Sequence, residues 1–457
     1  MKMLTFTFGI WGERILNKRS IAAFGAGLSL IALLSACSSG GTENDGPGSV
    51  AEPPKKAENK EPIEITITTN AGHTLEAFNM RFGDSIQKKF PQYKIKYIGA
   101  DIKFDQLIPT NTPVDIVYAA IIDFGRGPLA HGMVYDMTEL MKKHGVDLNR
   151  INFNWLDGFK DMWGGKIYGL PISIEAMTLF YNKDIFDRFG VPYPKNGMTW
   201  DDALELNKRL TRVEQGTQYL GLVFGASQHF SLNGLSLPYY DMKSDKPSLS
   251  LYEAKWKTVY ETLAVRPLEA PGYKEAVVEA KGALPAESKF YKDRIAAMSA
   301  SLAHGPLSWK EMQEVNWDMV SYPTYKETPN TGSQANLLLW GITNMSKHKD
   351  EAMEVINFLY SDEFQTITSR DGNIPAVITE ERKNEFAKNT YYKDRNVKAV
   401  FYNKFAPLSP RTIYDSDIAS LFREHLNDLT LGNMDLNTMM RTVEEEVTKK
   451  VAEIKSR

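Results

Sequence analysis

Two carboxylates in this chain of 457 residues stand where an acid needs a reason. Glu175 lies in Pro171-Ile172-Ser173-Ile174-Glu175-Ala176-Met177, and an acid inside so apolar a run is rarely buried without a partner. A carboxylate accepts two or more hydroxyls through charge-assisted bonds, so Glu175 is a candidate ligand for a polyol. The competing reading is a surface glutamate. Asp123 follows the apolar run Val114–Ala119, in a loop beyond the carboxyl end of a predicted strand. It reads equally as the cap of a short helix beginning near Arg126. Asn70 and His73 follow the first predicted strand, where they can bond a ligand or simply be solvated. The seven histidines show no metal spacing, and there is no Gly-x-Ser-x-Gly elbow, His-Glu-x-x-His pair or phosphate loop. We therefore expect no catalytic residue, metal or cofactor. The 57 acids leave room for the carboxylate pair of a glycosidase, so an exported carbohydrate-active enzyme stays open as an alternative. Such an enzyme depletes its oligosaccharide overnight, whereas a binding protein returns it intact.

The lone cysteine, Cys37, is too little for an internal disulfide or a thiolate cluster. It follows Lys18, Arg19 and the apolar run Ile21–Leu34, which at 14 residues is shorter than the roughly 20 that a membrane span needs. A basic start, a short apolar core and small residues before the cysteine make an export signal. Leu34-Ser35-Ala36-Cys37 resembles the bacterial lipobox, which implies lipidation at Cys37 and residues 1–37 as a lipoprotein signal peptide. Residues 38–62 have no aromatic residue and almost nothing to bury, and read as a disordered tether.

Without residues 1–37 the chain carries 50 basic and 56 acidic side chains, a balance too mild for a nucleic-acid partner. Ile63–Ile67 alternates like a strand, Leu75, Phe78, Phe82, Ile86 and Phe90 recur at helical spacing before Pro91, and Tyr93–Ile98 again reads as a strand. Val114–Ala119 fits a buried parallel strand. Thr199 caps a helix with acids in its first turn, and Lys347–Tyr360 and Thr442–Ile454 are amphipathic. This alternation predicts an α/β body, with room for two domains and no internal repeat.

Five phrases in order, GGKIYGLPISIEAMTLFYNKDIFDRFGV, MTWDDALELNKRLT, RIAAMSASLAHGPLSW, LLLWGITNMSKHKDEAMEVINFLYSDEFQ and GNIPA, resemble the extracellular solute-binding proteins (family 1) of ABC importers. The resemblance runs from about Ile63 to the C-terminus. It implies an α/β, two-lobed periplasmic-binding-protein-like fold (type II), with discontinuous lobes and a ligand cleft between them. Lobe one is expected at 61–172 and 316–344, and lobe two at 173–315 and 345–457, with the first crossing near Leu170–Ile174. It also implies further ligand contacts: Gln228 by hydrogen bonds, Phe230 by stacking, Trp309 or His304 beside a Gly-Pro pair, and Tyr414, where Gln228 and Phe230 read equally as a loop glutamine and a core phenylalanine, and Trp309 also as packing within its lobe. Leu307 stands where relatives carry a stacking tryptophan, Gln228 replaces an acid, and Phe124 stands where an arginine follows the family's aspartate. Planar polar groups, aromatics and the lack of an arginine cluster favour a sugar or oligosaccharide. The acids Glu175 and Asp123 keep a polyamine or other small cation open. The expected partners are the solute, ABC permease subunits and, through Cys37, the membrane at its extracellular or periplasmic face. The protein is expected to act as a monomer.

Overall fold

The computed structural model describes residues 62–456 except 71, 100–103, 108–111 and 152. The export signal, Cys37 and residues 38–61 of the tether lie outside the described residues. Two sheets organise the rest. Ile63–Thr69 (β1), Tyr93–Ile98 (β2), Ile116–Ala120 (β3), Leu170–Glu175 (β4), Asn336–Ile342 (β13) and Ile374–Pro375 (β14) form one, in the order β14-β4-β13-β3-β1-β2. Met177–Asn182 (β5), Arg212–Glu214 (β6), Thr217–Phe224 (β7), Ala296–Leu302 (β10) and Trp317–Ser321 (β11) form the other, in the order β11-β5-β10-β7-β6. Within them β1 pairs parallel to β2 and β3, and β10 parallel to β7, joined by helical crossovers. Two small ladders remain: Tyr240–Asp241 (β8) with Lys246–Pro247 (β9), and Thr331–Gln334 (β12) with Lys404–Ala406 (β15).

The predicted elements are present, with informative departures. β1 runs on to Thr69, and its last five residues are buried on both faces. The helix after it is interrupted by a π-turn over Asn79–Gly83. An added β-carbon at Gly83 would stand 2.5 Å from Asn79 Oδ1 and 2.9 Å from the Phe78 ring, so the tight turn needs glycine there. A π-turn shifts the helical face by one residue, and such turns gather at functional sites. Thr199 caps Trp200–Leu210 through a full capping box with Asp202. The last helix, Leu436–Lys455, starts six residues before its predicted N-terminus, capped by Asp435.

The chain leaves the first sheet at Glu175 and enters the second at Met177, so the first crossing lies at Ala176, close to its expected place. The rest of the lobe assignment differs from expectation. Residues 317–321 pair antiparallel with β5 in the second sheet, from Trp317↔Asn182 to Ser321↔Thr178, not with the first lobe. Residues after 345, expected in lobe two, return to the first sheet: β14 pairs with β4, and Val355, Ile356 and Phe364 join the core of Ile65, Tyr118 and Trp340. Only from about Tyr414 do side chains (Ile418, Phe422, Val443, Val447) fill the second core with Leu179, Leu222 and Trp256. An apolar strand pattern reveals burial but not which sheet takes it.

Gln334 ties the crossings together and is fully buried. Its backbone N–H donates to Leu232 O (3.0 Å), and its Nε2 donates to Asn233 O (3.0 Å). Its Oε1 accepts from the Ser409 N–H (2.8 Å) and from Arg411 Nη2 (3.3 Å). Arg411 in turn donates through Nη2 to Ser231 O, and through its backbone N–H to Gly158 O in the first lobe. Because buried partners left unpaired bear their full desolvation cost, Gln334→Ala will destabilise the protein by about 2–4 kcal/mol, measured by urea denaturation.

Candidate functional site

Glu175 is the last residue of β4, and its register partner on β13 is Asn336. Asn336 Nδ2 donates to Glu175 Oε2 at 2.9 Å. The other carboxylate oxygen faces His304 Nδ1 at 3.6 Å, with the two side chains 21% and 28% exposed, so both remain within reach of a ligand. His304 comes from the second lobe, at the N-terminus of Gly305–Ser308 just beyond β10. The pair therefore stands where the chain crosses between sheets and is shared by both.

From the first lobe, His73 accepts at Nε2 from Arg81 Nη1 (2.9 Å), and its Nδ1 is 2.9 Å from Tyr118 Oη. A guanidinium only donates. Nε2 must therefore be the bare nitrogen, and Nδ1–H donates to the tyrosine. Burial first, and the Arg81 charge second, push His73 down to about 4, so it is neutral at pH 7. Tyr118 is itself held by stacking on Trp340, centroids 4.5 Å apart. Burial lowers the pKa of Arg81, and the charge of Glu175 opposes that fall. Arg81 sits inside the π-turn, so the apolar periodicity of its helix gave no sign that it turns inward.

Asp123 lies in the helical turn Ile121–Phe124 beyond β3 and pairs with Arg126 Nη2 at 2.7 Å. Burial raises its pKa, the arginine lowers it, and the nearby Glu175 charge raises it further. The Asp123 loop thus has an arginine after all, three residues on, where i,i+3 helical spacing puts the exposed Arg126 beside the acid. Asn70 lies close by, since a β-carbon at Gly127 would be 3.4 Å from its Nδ2, and its buried Oδ1 has no hydrogen-bond partner among the described residues. Glu175, His73, Asp123 and His304 are thus brought together, with Arg81, Arg126 and Asn336 as members that sequence reasoning missed. No arginine stood among the expected contacts, and two reach the cluster: Arg81 through its π-turn, and Arg126 through an i,i+3 pair with Asp123.

Trp309 stacks on Tyr291, centroids 4.4 Å apart at 12°, and its ring fills the space where a β-carbon of Gly305 would be 2.6 Å away. Gln228 is half-buried beside Gly225, with Glu287 as its neighbour. Phe230 and Tyr414, expected as ligand contacts, are instead buried in the second core. Phe230 is fully buried between Trp256 and Tyr260, on the inner side of Ala226–Ser231. Tyr414 is 6% exposed and packs edge-on against Tyr240. Both went to the core because their apolar rings lie on the inward faces of their segments.

Residues 71–366 match the family model described as bacterial extracellular solute-binding protein. A sugar transporter of Rhizobium etli in an open conformation superposes with TM-score 0.66 at 20% identity, covering 84% of this chain and 99% of that one. An ABC substrate-binding protein from Listeria monocytogenes in complex with cycloalternan gives 0.65 at 18%, over 85% and 99%. A binding protein of Brucella abortus is 24% identical over 310 residues, and the match spans 66% of that curated relative and 61% of this chain.

The buried histidines set a pH dependence. His229, fully buried with Nδ1 2.8 Å from Gly225 O, is also pushed down to about 4, by burial. In the unfolded chain a histidine takes its proton near 6.5. Between about 6.5 and 4 the unfolded state therefore binds more protons, and stability falls as pH drops through that window. Urea titrations at pH 7 and pH 5 will show this loss, and His229→Phe will lessen its slope by about 1.4 kcal/mol per pH unit.

Proposed function

The chain belongs to the bacterial extracellular solute-binding proteins, and from that premise we propose that it captures a sugar or oligosaccharide between its lobes and delivers it to an ABC-type importer. The family binds solutes and is not enzymatic, and the α/β two-lobed fold is that of its solved members. The observation that carries the sugar reading is the meeting of Glu175, Asn336, Asp123, His73 and His304 at the crossing between sheets, partly open and with charges balanced by Arg81 and Arg126. Uncharged hydroxyls suit such planar donors and acceptors. The two arginines weigh against a polyamine, because with them the cluster lacks the net negative charge that would hold a polycation. Proteins of the same fold have been seen with mannotriose and with maltotriose.

In this reading the solute touches both lobes and biases an open–closed equilibrium toward the closed form, which docks on permease subunits. Strand pairing supports residues 63–175 and 336–375 as lobe one and 177–321 as lobe two, and core packing adds 414–451 to lobe two. Cys37, lipidated at a membrane face, keeps a monomeric binder beside its transporter and raises its local concentration there.

Calorimetric titration against mono- and oligosaccharides, with spermidine as control, tests this. Binding of one sugar, weakened at least tenfold by Glu175→Ala, is expected from the loss of charge-assisted bonds. Binding of spermidine alone would overturn the substrate class. Cys37→Ala is expected to release the protein into the soluble fraction, read by fractionation and immunoblot, and full retention in the membrane would refute the anchor.

A further inference from the structure

Glu287 has no role in the site so far, yet its surroundings are those of a ligand group. β7 and β10 run parallel, and Gly225 and Ser301 stand at their carboxyl ends, the side of an α/β sheet where ligands bind. A β-carbon at Gly225 would lie 2.6 Å from Gln228 Oε1 and 3.1 Å from Glu287 Oε1, so an amide and a carboxylate converge on one glycine. The Ser301 hydroxyl bonds Glu287, and no described cation pairs with it. Burial holds its carboxyl above the ordinary range, with only that serine opposing. A half-buried carboxylate left so nearly alone is costly unless a further donor arrives. One helical turn on, Tyr291 stacks with the partly exposed Trp309.

We propose that Glu287 and Gln228 form the second lobe's half of the binding site, Glu287 accepting from one hydroxyl of a sugar's vicinal diol and the Gln228 amide donating to the neighbouring oxygen. Adjacent acceptor and donor match a diol, and the Tyr291–Trp309 pair lies alongside for the sugar's apolar face. The acid expected at position 228 is thus supplied from elsewhere in the chain, by position 287. This rests on the sugar-binding reading above.

The test is calorimetry of the purified protein with mannotriose, maltotriose and spermidine, on wild type, Glu287→Gln, Glu287→Ala, Gly225→Ala and Glu175→Ala, each checked for an unchanged melting temperature. The isosteric Glu287→Gln keeps the test valid should the alanine variant fold poorly. A trisaccharide bound by wild type, about tenfold more weakly by Glu287→Gln and more weakly still by Glu287→Ala and Gly225→Ala, supports the assignment. Trisaccharide affinity unchanged in both Glu287 variants but lost in Glu175→Ala overturns it and leaves the sugar reading standing. Spermidine binding that Glu287→Gln abolishes overturns diol recognition together with the sugar class. Silence of wild type toward all three overturns both readings.

Discussion

The continuous strand from Leu170 to Asn182 is the constraint on which the structure depends. It must leave one sheet and enter another within a residue while its backbone groups stay paired. β13 holds it up to Glu175, and β10 and β11 take it from Met177. At the break, Ala303 N–H donates to Ala176 O at 2.8 Å, and Met177 N–H donates to Ser333 Oγ at 3.2 Å. The crossing is therefore fixed by partners from both lobes, and the side chain just before it, Glu175, must point into their junction. Gln334 and Arg411 lock the companion crossings in the same way, which gives the lobes a common pivot.

Around that pivot the charges of the candidate site are paired. Each arginine is committed, Arg81 to His73 and Arg126 to Asp123. His73 is kept neutral by burial and by its arginine, so its proton stays at Nδ1 and the ring is fixed in one orientation. The polar groups are thus largely oriented before a solute arrives, which lowers the entropy lost on binding. The Glu175–His304 gap of 3.6 Å, just beyond a hydrogen bond, is a contact between lobes that a small closing motion would complete.

The sequence by itself determined the α/β alternation, the first crossing to within a few residues of Ala176, the helix cap at Thr199 and the family. These rest on signals read along the chain: periodicity, capping chemistry and five phrases in order. It also picked out Glu175, Asp123, His73 and His304, because polar residues beyond strand ends have few other reasons to be there. Tertiary structure alone decided the rest. Whether β11 joins the first sheet or the second depends on long-range pairing, which an apolar pattern does not encode. Arg81 turned inward because a π-turn shifts the helical face by one residue, a displacement that sequence periodicity assumes away. Phe230 and Tyr414 were drawn into the core because an aromatic ring gains more from burial than a loop position predicts. Glu287 became the neighbour of Gln228 only through the parallel pairing of β7 with β10, which unites residues far apart in the chain.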